Sequence, residues 1–303
     1  MNNLDLSVNI AGVTLKNPIT TASGTFSAKD SSEFYDLSKL GGVITKGVAS
    51  EPWEGNATPR IAETYGGMLN AVGLQNPGID EFIASELSYL QDFDTKVIAN
   101  VAGRTIEEYC AVVDKLNDTD IAMMEINISC PNVKKGGIGF GTDPKMAAEV
   151  TRAVKSVAKK PIIIKLTPNV TDICEIAKAV EAEGADAVSL INTLLGMKID
   201  VNKGKAILAN TMGGFSGPAI KPVAVRMVYQ VRRAISLPII GLGGIMTGED
   251  VAEFIMAGAD AVSIGTAALV NPTAPVDILE EFKAYMIEQN FSNIKQIRDA
   301  FKG

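Results

Sequence analysis

One hexapeptide occurs twice in this chain. Gly184-Ala-Asp-Ala-Val-Ser189 returns as Gly258-Ala-Asp-Ala-Val-Ser263. Each copy follows a Pro-Ile-Ile strand pattern and an amphipathic helical pattern. A single Gly-Ala-Asp-Ala is a common helix-to-strand turn. Two copies in register with their strands argue for one βα module used repeatedly. Eight short apolar runs, each ending in small or polar residues, fit that module: Ile19–Ala22, Val43–Thr45, Val97–Ala99, Met123–Ile128, Ile162–Leu166, Ala187–Ile191, Ile239–Leu242 and Ala261–Ile264. Several are rich in Val and Ile, as parallel strands buried on both faces are. Helical patterns lie between most of them, over Ile106–Leu116, Pro144–Ala158, Asp172–Glu183, Lys221–Ile235 and Glu249–Ala257. Eight strands alternating with helices predict an α/β fold, a (β/α)8 TIM barrel. A doubly wound open sheet is the alternative. It is weakened because no convincing Gly-x-Gly-x-x-Gly follows the first strand. Residues 5–16 alternate around Ala11-Gly12 and predict an N-terminal β-hairpin. Residues 277–301 read as terminal helices. Residues 1–303 together read as a single domain.

Composition removes several functions. The net charge of −7 and the pI of about 4.9 make nucleic acid and anionic membranes poor partners. No apolar run approaches a membrane span, and the first residues lack a signal-peptide pattern, so a cytoplasmic location is expected. The three cysteines, Cys110, Cys130 and Cys174, are odd in number and widely spaced, which argues against a disulfide framework or a thiolate metal cluster. There is no histidine. A general base must then be Cys, Lys, Tyr, Asp or Glu.

In a barrel the residues just past the strands share one mouth. Those positions hold Ser23, Lys46, Asn100, Asn127, Lys165, Asn192, Gly243-Gly244 and Gly265-Thr266. Each alone reads as a turn former or a solvated charge. Together, three Asn and two Lys suit a planar, polar, anionic ligand. The glycines after the seventh and eighth strands read as turn formers or as a phosphate cradle, and their occurrence in both loops favours the cradle. Two long connections, residues 48–80 and 193–220, leave from the same end, where long loops are usually functional.

The stretch from Glu125 to Gly141 opens as an apolar strand and breaks at Ser129-Cys130-Pro131. A glycine-rich loop with Gly136, Gly137, Gly139 and Gly141 follows. A helix restarts at Thr142-Asp143-Pro144, with Asp143 as N-cap. Cys110 and Cys174 lie in helical patterns and read as small buried hydrophobes. Cys130, on the loop, reads as a base or nucleophile.

Three motifs carry a resemblance. Asn127-Ile-Ser-Cys-Pro-Asn132, Leu69-Asn-Ala-Val-Gly-Leu-Gln-Asn-Pro77 and Ile191-Asn-Thr193 resemble the dihydroorotate dehydrogenase family. Cys at position 130 resembles its class 1; class 2 carries Ser there and an N-terminal membrane extension. Gly204-Lys-Ala-Ile-Leu-Ala-Asn210 and Gly214-Phe-Ser-Gly-Pro-Ala-Ile-Lys-Pro222 look more like the NAD+-linked subclass 1B than the fumarate-linked 1A. One departure is the loop from Glu51, where the family more often has Arg at Trp53 and Pro at Ala57.

The resemblance implies an oxidoreductase that binds FMN and oxidises dihydroorotate to orotate in pyrimidine biosynthesis. It implies that Gly243, Gly244, Gly265 and Thr266 hold the FMN phosphate. Ser23, Lys46, Gly47, Asn100, Asn127, Lys165, Ile191 and Gly217 would complete the flavin site. Lys46, Asn70, Ala71, Val72, Gly73, Leu74, Asn127, Asn192 and Thr193 would meet the substrate. Cys130 would act as base, on a loop whose glycines let it work as a lid. No resident metal is expected. Electrons would reach NAD+ through a partner subunit carrying FAD and a 2Fe-2S iron–sulfur cluster, around a homodimer core within a heterotetramer. The alternatives are a fumarate-dependent 1A enzyme, a uracil-type relative such as the dihydropyrimidine dehydrogenases, and a non-catalytic flavin-binding scaffold.

Overall fold

Runs of Val and Ile without alternation need both faces covered, one by the inside of a barrel and the other by helices. The computed structural model describes residues 4–129 and 137–303, and its apolar runs are covered in that way. The strands β1 (Ile19–Thr21), β2 (Gly42–Ile44), β3 (Lys96–Val101), β4 (Met123–Asn127), β5 (Ile162–Lys165), β6 (Ala187–Leu190), β7 (Ile239–Leu242) and β8 (Ala261–Ile264) form a closed parallel barrel in sequence order. β8 returns to β1 through the register pair Ser263 with Thr20. Helices Ile106–Asn117, Pro144–Val157, Ile173–Ala182, Lys221–Ala234 and Gly248–Ala257 cover the outside, within a residue or two of the sequence expectation. Asp143 caps its helix as expected, its Oδ1 accepting from the N–H groups of Lys145 and Met146 at 2.8 and 3.1 Å.

Side chains alternate along each strand, so inner and outer residues separate by parity. Met124 and Ile126 of β4 join the large core beneath the helices. Met123 instead joins Ile44, Ile98, Ile163, Ala187, Ile240 and Ala261 in a second cluster inside the barrel. The N-terminal hairpin, Val8–Ile10 with Val13–Leu15, turns through positive φ at Ala11 and Gly12. Its Ile10 and Leu15 are fully buried in that same inner cluster. The hairpin is thus the plug at the bottom of the barrel. Two residues further along the strands, the same parity turns Asn100, Glu125, Lys165 and Ser189 inward.

The repeated hexapeptide has a mechanical role. Asp186 accepts from Ile162 N–H at 2.8 Å and pairs with Lys155 at 2.6 Å. Asp260 accepts from Ile239 N–H at 2.8 Å and pairs with Arg232. In both copies one carboxylate ties the start of the previous strand to the helix that precedes that strand.

The two long connections are more ordered than loops. They contribute strands Ile61–Thr64, Gly67–Asn70, Leu194–Met197 and Met212–Ser216 to one antiparallel sheet. Its order is Leu194–Met197, Met212–Ser216, Gly67–Asn70, Ile61–Thr64. This sheet is a roof over the barrel mouth. A correction concerns the glycine-rich stretch: residues 137–142 are helical, where a loop through Gly141 was expected. Packing outweighs the poor helix propensity of glycine there. Phe140 is buried against Tyr109, with ring centroids 6.0 Å apart. A Cβ on Gly141 would come within 2.4 Å of the Ile128 carbonyl oxygen. Gly139 and Gly141 therefore belong to a packed turn of helix that Gly137 opens, and Gly136 lies outside the described residues. The terminal helices run Ala274–Glu288 and Ile294–Asp299. Among the described residues no helix is long and apolar enough to cross a membrane, and no group of three or more His, Cys, Asp or Glu could hold a metal ion.

Candidate active site

Strand ends and roof enclose one cavity. Ser23 reaches it from beyond β1, and Lys46 and Gly47 from beyond β2. Asn127 and Lys165, the last residues of β4 and β5, form its floor. Ile191, Asn192 and Thr193 follow β6, and the Leu190–Ile191 peptide bond is cis. Asn70, Val72, Gly73 and Leu74 descend from the roof. Gly243, Gly244, Gly265 and Thr266 close the side after β7 and β8. Gly244 has φ of +82°, and a Cβ there would lie 2.8 Å from the Gly217 carbonyl oxygen. Only glycine fits that approach.

Three expected site residues stand elsewhere. Gly217 does not line the cavity; a Cβ on it would lie 2.5 Å from Gly67 Cα, so it serves the close approach of two roof strands. Ala71 is buried in the roof with Leu69 and Leu208. Asn100 lies within β3, one layer below the mouth and fully buried. Cys130, the expected base, lies outside the described residues. Cys110 and Cys174 are half-buried on the outer helices, so they are less enclosed than expected, and burial pushes both thiols up.

A polar network fills the layer beneath the cavity. Glu125 is fully buried. Its Oε1 accepts from Asn100 Nδ2 at 2.5 Å and from Lys165 Nζ at 3.3 Å, and its Oε2 accepts from Ser189 Oγ at 2.7 Å. Lys165 also donates to Ser23 Oγ at 3.2 Å. Two of its three ammonium donors are thereby used, and the third is available at the cavity floor. Burying either charge alone would be costly; paired and hydrogen-bonded, both can stay. A second chain of bonds runs along the rim. Asn192 Nδ2 donates to Ser129 Oγ at 2.7 Å, and Ser129 Oγ donates to Asn127 Oδ1 at 2.9 Å. That leaves the amide NH2 as the group Asn127 can offer. Ser129, the residue before Cys130, is thus fixed from two sides.

The outer edge of the site holds one perturbed carboxyl. Burial pushes Glu86 up to about 6, against the pull of the Lys46 charge. Glu86 sits on the π-helical segment Phe82–Leu87, and its Oε1 is buried without a hydrogen-bond partner among the described residues. The unusual Trp53 is accommodated by stacking. The Arg104 guanidinium lies 4.3 Å from the Trp53 ring centroid, and the indole packs with Ala49 and Ala102.

With this geometry in place, the comparisons with known proteins are decisive. The family model described as dihydroorotate dehydrogenase matches residues 5–286. The chain belongs to the dihydroorotate dehydrogenase family. A relative from Alkaliphilus metalliredigens, named dihydroorotate dehydrogenase B (NAD(+)), catalytic subunit, is 63% identical over 299 residues, covering 98% of this chain and 99% of its own. A relative of the same name from Lachnoclostridium phytofermentans is 58% identical, covering 97% of this chain and 98% of its own. One from Geobacillus kaustophilus, again of that name, is 53% identical over 96% and 94%.

For a dihydroorotate dehydrogenase the donor set fits a flavin mononucleotide. Asn100 Oδ1 is buried without a hydrogen-bond partner among the described residues, an acceptor waiting for a donor. A Cβ on Gly47 would lie 2.7 Å from that oxygen, so the oxygen sits directly behind this cavity-lining glycine, the one residue type that leaves room there. Gly243-Gly244 after β7 and Gly265 after β8 put backbone without side chains on the cavity wall, where a phosphate needs it. Sequence reasoning assigned no role to Glu125, Ser129 or Ser189. The signal for Glu125 was present: it is the one charge in the apolar run Met123–Ile128.

Proposed function

We propose that this chain is the FMN-bearing catalytic subunit of an NAD+-linked dihydroorotate dehydrogenase, working in de novo pyrimidine biosynthesis. One observation carries the reading: Lys46, Asn70, Asn127, Lys165, Asn192 and Thr193 line one cavity together with the glycine loops after β7 and β8. The names of the relatives support the NAD+ link and the word subunit.

When bound, FMN supplies the acceptor for the hydride leaving C6 of dihydroorotate. The chain's own residues do the rest. Cys130 Sγ takes the C5 proton, so the C5–C6 bond becomes the double bond of orotate. Ser129 holds the backbone beside that thiol through Asn127 and Asn192. Lys46 meets the substrate carboxylate, while Asn70, Asn127, Asn192 and Thr193 offer hydrogen bonds to the ring edges. Lys165 places positive charge where the reduced flavin accumulates negative charge. Gly243, Gly244, Gly265 and Thr266 hold the phosphate, and Thr266 is itself held by Ser216 Oγ at 2.9 Å.

The acceptor side would be supplied by a second polypeptide carrying FAD and a 2Fe-2S cluster, docked on a dimer of these barrels as a heterotetramer in the cytoplasm. Residues 1–303 act as one domain. The chain expressed alone should reduce dyes with dihydroorotate but not NAD+, and adding the partner should restore NAD+ reduction. Orotate should perturb the flavin spectrum far more strongly than uracil, which lacks the carboxylate. A colourless chain that cannot take up FMN, or NAD+ reduction by the chain alone, would sink the reading.

A further inference from the structure

We infer that Glu125 is the positioning residue that sets the polarity of the flavin pocket, by forcing Asn100 to present an acceptor and by pairing with Lys165. The inference rests on the FMN reading above. An ionised carboxylate can only accept hydrogen bonds. Asn100 must therefore turn its Nδ2 toward Glu125, 2.5 Å away, and its Oδ1 must face the other way. That oxygen is buried without a partner among the described residues, and it abuts Gly47 on the cavity wall. A ligand N–H or O–H seated against Gly47 would satisfy that oxygen, and flavin mononucleotide has both in its ring imide and ribityl hydroxyls. The same Oε1 accepts from Lys165 at 3.3 Å, so one oxygen orients both Lys165 on the cavity floor and Asn100 behind the Gly47 wall. Oε2 is anchored by Ser189 at 2.7 Å, which fixes the carboxylate plane. Register gives the arrangement its rigidity: Asn100 pairs with Glu125 across β3 and β4, and Ser189 with Lys165 across β5 and β6.

Glu125→Gln keeps the shape and the acceptor: its amide oxygen can still face Asn100 and Lys165 while its NH2 donates to the Ser189 hydroxyl, so it removes the charge alone. Glu125→Leu removes the acceptor as well, so nothing holds the Asn100 amide with its oxygen turned away. Both leave the Lys165 ammonium without its counter-charge. The full-length chain, stripped of flavin, is titrated with FMN by fluorescence quenching, and the midpoint potential of bound FMN is measured. Glu125→Leu and Asn100→Ala should each weaken FMN binding roughly tenfold, the size of one buried hydrogen bond. The double variant should be no weaker than the worse single, because both act through one contact. The midpoint potential should rise in Glu125→Gln, since unopposed positive charge favours the reduced, anionic flavin. A role confined to barrel stability would lower the melting temperature and leave the potential unmoved. A wild-type potential in folded Glu125→Gln, wild-type affinity in folded Glu125→Leu, or additive losses in the double variant would overturn the proposal. If Glu125→Leu does not fold, Ser189→Ala frees Oε2 alone. A several-fold loss of FMN affinity in folded Ser189→Ala supports the proposal, and wild-type affinity there overturns it. Failure of the unaltered chain to bind FMN would count against the cofactor reading instead.

Discussion

The two ends of the barrel are built on opposite principles from the same strands. At the bottom, Ile44, Ile98, Met123, Ile163, Ala187 and Ile240 pack with Ile10 and Leu15 of the hairpin into a dry plug. Two residues higher, the same strands point Asn100, Glu125, Lys165 and Ser189 into the same interior. The lower layer gains from burial of apolar surface. The upper layer tolerates buried charge only because each group has a partner. Stability and chemistry are thus separated along the barrel axis by a single step of strand periodicity.

The largest expected effect concerns the chemistry of the upper end. Cys130→Ala should slow flavin reduction by dihydroorotate by roughly 10²–10⁴-fold, the usual worth of a positioned base, with the melting temperature unchanged. Stopped-flow absorbance reads the rate. The wild-type rate should climb with pH, because an unperturbed thiol ionises near ~8.5. A full rate in the variant would remove Cys130 from the upper end's chemistry.

Met123→Ala attacks the lower end. It should cost about 2–5 kcal/mol of stability, as large-to-small core changes do, and leave the FMN affinity of the folded protein unchanged. Denaturant midpoints and FMN titrations check the two halves separately. Loss of affinity in step with stability would show that the ends are not independent.

A smaller effect belongs to Glu86. Its carboxyl is raised from 4.5 to about 6 by burial, so between those values the folded state keeps a proton that the unfolded chain has released. Stability therefore falls as pH rises through this window, by about 2 kcal/mol, and stays lower above it. Glu86→Gln should flatten that dependence between pH 4 and 7 in urea titrations. An unchanged slope would mean that Glu86 is not the group responsible.

The smallest effect is expected at the outer helices. Cys110→Ala and Cys174→Ala should leave turnover unchanged, since burial raises both thiols and neither lines the cavity. A lost rate in either would extend the chemistry beyond the barrel mouth.

The barrel was legible because its strands are short, apolar and regularly spaced, and because Asp143 is a strong local start signal. The set of polar residues at the strand ends was legible for the same reason: position past a strand implies direction. What escaped was non-local. The roof strands pair residues such as Asn70 and Gly214, 144 positions apart, and no local pattern announces that. Helix 137–142 defied glycine propensity through the packing of Phe140, a tertiary contact. Asn100 counted as a mouth residue, yet β3 runs one residue past it to Val101 and leaves it a layer lower. Glu125 was visible as a lone charge in an apolar strand, but its partners come from three other strands.

The roof has a consequence for exchange between relatives. Its central seam joins Met68, Leu69 and Asn70 to Ser216, Phe215 and Gly214, so two distant stretches of chain make one inheritable part with two addresses. A graft of either stretch alone would mate strands that did not evolve together, beside the residues that meet the ligand. Moving 48–80 and 193–220 together keeps the seam intact, and paired grafts should retain soluble yield and orotate affinity where single grafts lose both.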